Sequence, residues 1–449
     1  MKIKLPATVK IILDSLHAHG FEAYAVGGCV RDSILNREPD DWDITTSALP
    51  HQIKQVFQRT VDTGIAHGTV TVLVGSRACE VTTYRIDGAY SDSRHPDSVT
   101  FTSKLGEDLL RRDFTINAMA YNEEEGLIDL YGGMRDLQRK KICCVGNASD
   151  RFREDALRIL RAVRFSAQLH FGIDRLTALA MMDQASNLQH ISAERICSEL
   201  VKLICSDHPE YLRVAYEAGI TRVILPEFDA MMQTPQNSPY HIYNVGDHTL
   251  TAMQHTRKDK VVRLAMLLHD AGKPSCKRMD AYGYDHFPDH AEAGVKIADD
   301  TMRRLKLDND TMHKVRTLIL YHDWWMKADE KEIRRALHTV GKELFPFLLD
   351  IQQADTMGKS EYRRDERLRR IAQVARYAAD ILKRGDAIDL KDLAIGGDDL
   401  LAMGIPAGTE IGKLLSAALD LVLDDPSKNT REYLLPYLKN HRNVIVNDL

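Results

Sequence analysis

Several common landmarks are missing from this sequence, and each absence excludes a class of protein. No stretch approaches the roughly 20 apolar residues needed to span a bilayer, and the amino-terminal segment, interrupted by Asp14, predicts an amphipathic helix instead. Without a recognisable signal peptide, we expect a cytoplasmic protein with no membrane contact. The seven cysteines are odd in number and include no CxxC pair, which predicts reduced, packed thiols. The formal net charge is only −5, so nucleic-acid binding would depend on local basic patches.

Two widespread phosphate-binding signatures are absent as well. Gly27 and Gly28 follow a short apolar run, but no Gly-Lys-Ser/Thr comes after them and the GxGxxG pattern is missing. Glycines at a helix start nevertheless let backbone amides approach a phosphate closely, and Arg31 follows within one turn. The segment predicts a phosphate site that is neither a P-loop nor a dinucleotide fold.

Two alternating aspartates, Asp41 and Asp43, follow this turn. On a strand their side chains share one face, roughly 6.5 Å apart along the chain. Such a pair can hold two Mg²⁺ ions, which lie about 3.5–4 Å apart in two-metal phosphoryl-transfer sites. Residues 68–75 and 78–85 alternate β-branched residues and predict neighbouring strands. Glu80 could supply a third carboxylate from the second strand, or could simply lie at a sheet edge.

Arginines dominate two later segments. Arg111-Arg112-Asp113 is predicted to open a helix that continues through Met119, and a planar guanidinium suits a triphosphate. Residues 151–165 predict one amphipathic helix with an apolar face. The opposite half of that helix carries Asp155, Arg158, Arg161 and Arg164. The alternatives are a solvated helix start for the first segment and interhelical salt bridges for the second.

Asp155 and Arg158 suggest how bases are selected. Cytosine and adenine each present an amino donor beside an unprotonated ring nitrogen, whereas uracil and guanine present a carbonyl beside an N–H. An aspartate that accepts and an arginine that donates therefore favour C and A. One helical turn of separation would let both address one base edge. A following helix, N-capped by Ser192, carries Glu194, Arg195 and Glu199, which can orient the arginines.

Together these segments resemble the bacterial CCA-adding enzymes, template-independent tRNA nucleotidyltransferases of the class that includes bacterial poly(A) polymerases. The matching segments, in order, are residues 27–32, 41–43, 111–120, 154–158 and 193–200. The resemblance implies catalytic Mg²⁺ on Asp41 and Asp43, with Asp113 and Asn117 near the ribose and triphosphate. It implies a CTP and ATP pocket formed by Gly28, Arg31, Arg112, Asp155, Arg158, Arg161 and Arg164. The family's loop before the RRD segment is present at full length, residues 87–105, where a truncation would suggest addition of only the two cytosines.

Histidines concentrate between residues 236 and 360. His269-Asp270, after an apolar helix and before Gly-Lys-Pro, resembles the HD metal-dependent phosphohydrolases. Imidazole and carboxylate together suit a divalent metal, and the candidate ligands are His248, His269, Asp270, His290, His322 and Asp355. Some CCA-adding enzymes carry such a domain, with phosphatase or cyclic phosphodiesterase activity on RNA ends. The alternative is a helical scaffold whose histidines are held by hydrogen bonds.

The whole sequence predicts an α+β protein, a small mixed α/β head followed by an elongated all-α body with an HD-type domain. The expected divisions are a catalytic head, a nucleobase-recognition domain, an HD-type domain and a tRNA-binding tail, at residues 1–145, 146–235, 236–360 and 361–449. In the tail, a turn at 404–408 and Lys413 could bind tRNA phosphate. The predicted activity is addition of CCA to tRNA from CTP and ATP with release of pyrophosphate. A poly(A) polymerase, an enzyme adding only A, and an HD phosphohydrolase acting on RNA ends are the alternatives.

Overall fold

The computed structural model describes residues 2–75, 77–88 and 98–448. It forms two compact units, Met1–Pro226 and Glu227–Leu449. Among the described residues, no helix combines the length and apolar character needed to cross a membrane. The loop at residues 87–105, noted above for its full length, lies partly outside the described residues, at 89–97.

A seven-stranded mixed sheet organises the first unit, in the order β3-β4-β5-β2-β1-β8-β9. Its strands are β1 (Ala23–Val26), β2 (Asp43–Thr46), β3 (Thr60–Gly64), β4 (Thr69–Val74), β5 (Arg77–Thr83), β8 (Ala120–Asn122) and β9 (Gly126–Ile128). Two further pairs are β6 (Arg85–Asp87) with β7 (Val99–Phe101), and β10 (Lys141–Ile142) with β11 (Gly172–Ile173). The strands predicted at 68–75 and 78–85 are confirmed as the antiparallel pair β4 and β5.

Helices cover this sheet and continue beyond it. They are α1 (Ala7–Ala18), α2 (Gly28–Ile34), α3 (Pro50–Val56), α4 (Leu105–Leu110), α5 (Gly133–Gln138), α6 (Ala148–Glu154), α7 (Leu157–Leu169), α8 (Arg175–Gln184), α9 (Ala193–Ile204), α10 (Leu212–Glu217) and α11 (Thr221–Ile224). The predicted amphipathic helix at the amino terminus is confirmed, because α1 buries Val9, Ile12, Leu13 and Leu16. Helix α12 (Pro226–Met232) begins where the two units divide.

The helix predicted from Arg111 through Met119 is wrong. Helix α4 ends before it, Phe114 is extended with φ −127° and ψ 148°, and only a single 3-10 turn at Thr115–Asn117 follows. Asp113 accepts hydrogen bonds from the backbone N–H of Phe114 and from Nδ2 of Asn117, at 2.8 and 3.2 Å. An aspartate that binds nearby donors in this way competes with the helical hydrogen-bond ladder.

The single helix predicted over 151–165 is also wrong, because it is two helices. Helix α6 ends at Glu154, and Asp155 takes an extended conformation, φ −144° and ψ 103°, before α7 begins. Oδ1 of Asp155 accepts a hydrogen bond from the backbone N–H of Leu157 at 3.0 Å. The aspartate therefore ends one helix and opens the next, as short polar side chains do at helix starts.

The second unit is almost entirely helical. Its helices are α13 (Val245–Met253), α14 (Lys260–Leu268), α15 (Lys273–Cys276), α16 (His290–Arg304), α17 (Asn309–Tyr321), α18 (Glu330–Val340), α19 (Phe345–Gly358), α20 (Arg364–Arg384), α21 (Gly397–Ala402), α22 (Thr409–Asp424) and α23 (Arg431–Asp448). One hairpin interrupts them, β12 (Arg278–Met279) with β13 (Asp285–His286). The predicted turn at 404–408 lies between α21 and α22. A mixed α/β head followed by a helical body is thus confirmed, although β11, β12 and β13 show that the body is not purely helical.

Candidate nucleotide and metal sites

The glycine turn lies directly beside the first aspartate of strand β2. Val26, the last residue of β1, pairs in register with Asp43, so Gly27 and Gly28 extend past the same end of the sheet. Gly27 has φ +85° and ψ −132°, a conformation essentially restricted to glycine. A Cβ on Gly27 would lie 3.1 Å from Nη1 of Arg112. The turn therefore brings bare backbone against an arginine and the β2 carboxylate.

Three carboxylates lie at this sheet end. Asp43 opens β2, and Asp41 precedes the strand, where the sequence predicted both on it. Strands β2 and β5 run parallel with Ile44 opposite Val81, so Asp43 lies beside Glu80. Desolvation and repulsion from Asp41 raise the pKa of Asp43 against the opposing effect of Arg112. Desolvation and repulsion from both aspartates likewise raise the pKa of Glu80. Mutually repelling carboxylates of this kind favour a bound cation.

A buried network orients the pocket arginines. Nε and Nη2 of Arg161 donate to Oδ2 of Asp113 at 2.8 and 2.6 Å. Despite the cost of burial, the Arg161 charge lowers the pKa of Asp113 to about 2. Arg164 pairs with Glu199 at 2.9 Å, which supports the orienting role predicted for helix α9. Burial, together with repulsion from Arg161, lowers the pKa of Arg164 to about 10.

Arg31 completes that network from helix α2. Its Nη1 donates to Oδ1 of Asn117 at 2.6 Å, and its Nε and Nη2 donate to Asp32. The guanidinium carbons of Arg31 and Arg164 lie 5.0 and 4.0 Å from the ring centroid of Phe165. This aromatic ring on α7 therefore packs against two arginines. Hydrophobic periodicity alone predicts only that such a residue belongs to the apolar core.

Asp155 and Arg158 each form protein contacts that the sequence did not predict. Asp155 forms a two-pronged ion pair with Arg195 of α9, whose Nη2 lies 2.7 Å from Oδ2 and whose Nη1 lies 3.3 Å from Oδ1. Arg158 is 9% exposed and donates to Glu154 at 2.5 Å and to the backbone carbonyl of Arg111 at 2.9 Å. The helix break means that helical spacing does not relate the two side chains; tertiary contacts hold each one.

Sequence reasoning missed Asp108. This side chain on α4 is fully buried and accepts from Nη2 and Nε of Arg111 at 2.6 and 3.0 Å, while Nη2 of Arg112 lies 3.4 Å away. The hydroxyl of Thr45 on β2 also donates to it, at 3.1 Å. An aspartate three and four residues before two arginines was the available signal, since those spacings share a helix face.

In the second unit the six predicted metal ligands meet in one place. His248, His269 and Asp270 form one group, and Asp270, His290 and His322 form another, each with its ligand atoms within 4.8 Å of one another. Oδ2 of Asp270 lies 3.2 Å from Nε2 of His269, and Oδ1 lies 3.6 Å from His290 and 3.7 Å from His322. Asp270 therefore bridges the two groups. We call the six residues the histidine cluster; its sixth member, Asp355, has Oδ1 3.0 Å from Nε2 of His248.

Backbone carbonyls orient all four imidazoles. Nδ1 of each histidine lies 2.7–3.1 Å from a carbonyl oxygen. Those oxygens belong to Gly358 for His248, Met266 for His269, Phe287 for His290 and Ile319 for His322. A carbonyl can only accept, so Nδ1 of each ring carries a proton and Nε2 faces the cluster. Metal-binding histidines are held in this way.

The interior of the cluster favours added positive charge. Nε2 of His290 and Nε2 of His322 face each other at 3.3 Å. Nε2 of His269 and Oδ1 of Asp270 are buried and have no hydrogen-bond partner among the described residues. Burial opposes protonation of His269, yet the charge of Asp270 raises its pKa to about 9. Two lysines bring fixed cations: Lys273 lies 2.7 Å from Oδ2 of Asp270, and Lys359 pairs with Asp355. A divalent ion fits this donor set.

Comparison with known proteins covers most of the chain. Residues 23–143 match the poly A polymerase head domain, residues 170–232 match a probable RNA and SrmB-binding site of polymerase A, and residues 290–438 match a putative second domain of tRNA nucleotidyltransferases. CCA-adding enzymes from Lactobacillus delbrueckii subsp. bulgaricus and Latilactobacillus sakei subsp. sakei are 34% and 36% identical to it, over 95% of this chain and 96% of each relative. This chain belongs to the CCA-adding enzymes.

A solved structure of the family agrees with this assignment. The Bacillus stearothermophilus CCA-adding enzyme in complex with CTP has a TM-score of 0.74 and 29% identity over the full length of both chains. The predicted family resemblance is therefore confirmed. Half of the histidine cluster, His248, His269 and Asp270, lies between the second and third matched segments. The interpretation of the cluster rests on its geometry.

Proposed function

We propose that this protein adds CCA to the 3′ end of tRNA, using CTP and ATP and releasing pyrophosphate. Membership of the CCA-adding enzymes carries the proposal, and the head supplies a matching site. Asp41, Asp43 and Glu80 are the residues that would hold divalent metal, and an all-carboxylate donor set suits Mg²⁺. When bound, Mg²⁺ would stabilise the charge on the attacking and departing oxygens.

The protein's own groups position the nucleotide. The Gly27 N–H donates to the backbone carbonyl of Met119, so the backbone amide of Gly28 and the guanidinium of Arg112 are the groups that would contact the triphosphate beside Asp43. Backbone N–H groups and arginine are suited to phosphate because they donate several hydrogen bonds in fixed directions. The incoming α-phosphorus forms a bond to the RNA 3′-oxygen while its bond to pyrophosphate breaks, and the 3′-hydroxyl proton passes to solvent water.

Base choice is assigned to Asp155 and Arg158. The Asp155 carboxylate accepts from the amino group of C or A, and Arg158 donates to the ring nitrogen. Arg195 and Glu154 hold these two side chains in ion pairs, which would fix their orientation toward the base. The other proposed pocket residues, Arg31, Arg161 and Arg164, form the wall behind them.

A direct experiment separates this activity from its alternatives. Purified protein is incubated with tRNA ending before CCA and with CTP or ATP alone. We expect CTP incorporation, which an enzyme adding only A or a poly(A) polymerase lacks. Asp43→Asn should abolish incorporation, whereas Asp62→Asn, exposed on β3 and paired with Lys54, should not. Incorporation unchanged by Asp43→Asn would contradict the proposed mechanism.

We propose a second activity for the histidine cluster, metal-dependent hydrolysis of phosphate esters at RNA ends. The bridging position of Asp270 carries it, because two triads that share one carboxylate can hold two neighbouring divalent ions. Imidazole and carboxylate ligands suit transition metals such as zinc, iron or nickel. Water adds to phosphorus as one ester bond breaks, so a cyclic phosphate opens to a monoester.

Metal analysis tests the cluster independently of turnover. Purified protein should contain up to two transition-metal ions per chain, Asp270→Asn should lose both, and His290→Ala should lose one. His286→Ala is the matched control, because that histidine is exposed and pairs with Asp280 outside the cluster. His269→Ala should also lose phosphate-ester hydrolysis but keep CTP incorporation. Metal content unaltered by Asp270→Asn would exclude the site.

A further inference from the structure

A cavity of about 200 Å³ opens beside the histidine cluster. Two cluster residues, His322 and Asp355, also line this cavity. A molecule bound there would therefore lie against one edge of the cluster. The cavity is large enough for one ring-sized group, since a cavity of about 150 Å³ accommodates benzene.

Trp325 gives the cavity an exposed aromatic face. Its side chain is 52% exposed, and the guanidinium carbon of Arg370 lies 4.1 Å from its ring centroid. Nε of Arg370 donates to the backbone carbonyl of Met326 at 2.7 Å, which anchors the arginine. The neighbouring Trp324 instead lies against Tyr321, with 5.3 Å between ring centroids. A large ring held in place by a guanidinium and left open to solvent is suited to stacking a nucleobase.

The cavity also has unbalanced positive charge on helix α20. Arg367 and Arg370 both line it, and neither forms an ion pair with a carboxylate in the part of the chain that the structure describes. Arg367 lies over the ring of Tyr240, 4.7 Å from its centroid. Lys359 is paired with Asp355, and the remaining acid, Asp323, is half exposed and 3.8 Å from Nε2 of His290. Two guanidinium groups that lack a carboxylate partner in the described chain, beside a candidate metal-binding cluster, complement a phosphate.

We infer that this cavity binds the terminal nucleotide of a single-stranded RNA end that carries a 2′- or 3′-phosphate or a 2′,3′-cyclic phosphate. The base stacks on Trp325, and the phosphate lies between Arg367 and the cluster residues His322 and Asp355. Single strands suit this arrangement because an unstacked terminal base is free to enter a pocket. The inference rests on the second proposed function and specifies its substrate.

Tryptophan fluorescence tests the base contact without requiring turnover. The Trp42→Phe background leaves only Trp324 and Trp325 as reporters. Adenosine 2′,3′-cyclic phosphate and adenosine 3′-phosphate should quench them saturably in both metal-loaded and metal-free protein. Stacking contributes strongly per base, so Trp325→Leu should weaken the binding of adenosine 3′-phosphate about tenfold. The fluorescence of Trp324 reports binding in this variant. Inorganic phosphate, measured by competition, should bind as before.

A matched pair of arginines tests the phosphate contact. Arg367→Gln should weaken the binding of both adenosine 3′-phosphate and inorganic phosphate about tenfold, because it removes a charge-assisted hydrogen bond. Arg369→Gln makes the same charge change on the same helix, outside the cavity, and should alter neither. Equal effects of the two variants would show only a general charge effect and would overturn the inference.

Metal content, measured on the same samples, separates the two proposals. If metal binds but Trp325→Leu and Arg367→Gln leave the affinity for adenosine 3′-phosphate unchanged, the cavity is not the substrate site and the metal proposal stands. If no metal binds yet both variants weaken adenosine 3′-phosphate, the cavity binds nucleotides and the hydrolytic proposal fails.

Discussion

Arg195 offers the sharpest test of how this protein selects bases. It lies on α9 and holds both oxygens of Asp155, at 2.7 and 3.3 Å, while Asp155 also accepts from the backbone of Leu157. If Asp155 reads the amino group of C or A, Arg195 positions that carboxylate without needing to contact the base. Arg195→Gln should therefore weaken discrimination against UTP and GTP and leave the metal site unaltered.

The size of the effect follows from the contact. A hydrogen bond to a charged group contributes about 1.5–3 kcal/mol. The Arg195 and Asp155 side chains are 26% and 15% exposed, so solvent screening reduces the pair toward about 1–2 kcal/mol. If that energy is lost from the orientation of Asp155, the ratio of kcat/KM for CTP to that for UTP should fall about 5- to 30-fold.

Single-turnover incorporation into tRNA ending before CCA measures this ratio. Arg153→Gln is the matched control, because that arginine is 67% exposed and pairs only with Asp150. Arg195→Lys keeps the charge but not the two-pronged geometry, and should restore part of the selectivity. A CTP-to-UTP ratio that stays within twofold in Arg195→Gln, while Asp155→Asn loses selectivity, would refute the positioning role.

Three other changes test other parts of the molecule. Gly27→Ala should destabilise the protein by about 1–3 kcal/mol and weaken CTP binding, because φ is +85° and the new Cβ would lie 3.1 Å from Arg112; thermal unfolding and CTP titration measure both. Asp113→Asn should cost about 2 kcal/mol at pH 7 in urea unfolding. The folded-state pKa of about 2 lies below the ordinary aspartate pKa of 3.8, so Asp113 stabilises the fold fully above pH 4 and the deficit should disappear as pH falls toward 2. Gly358→Ala would place a Cβ 3.0 Å from Nδ1 of His248, so metal analysis should show depleted metal while CTP incorporation continues.

The sequence predicted the strands of the head that show alternating β-branched residues, and the turn that requires glycine. Strands β4 and β5 and the turn at Gly27 occur where expected, and parallel pairing of β2 with β5 brings Glu80 beside Asp43. It failed at Asp113 and Asp155, where a short polar side chain binds nearby donors and ends a helix. Apolar periodicity cannot show such a break, because the buried residues on either side remain in phase.

For the histidine cluster, the sequence predicted the ligands but not the backbone contacts that orient them. Its six ligands could be selected by residue type and spacing, and the structure brings them together. The four backbone carbonyls that fix the imidazole tautomers could not be predicted, because every residue has a carbonyl and residue type does not show which ones accept. Those contacts distinguish a site prepared for metal from histidines that merely hydrogen-bond one another, since each Nδ1 is held by a carbonyl and Nε2 faces inward.

The pocket arginines are not equivalent, although the sequence alone places them in one group. Arg161 and Arg164 each have a carboxylate partner on another element, and Arg31 donates from three nitrogens to Asp32 and Asn117. Arg112 has a single weak ion pair, 3.4 Å from Asp108, and its buried Nε donates to no acceptor in the described chain. An unsatisfied buried guanidinium N–H is costly unless a ligand completes it. We therefore expect Arg112, which lies beside the glycine turn, to donate to the triphosphate.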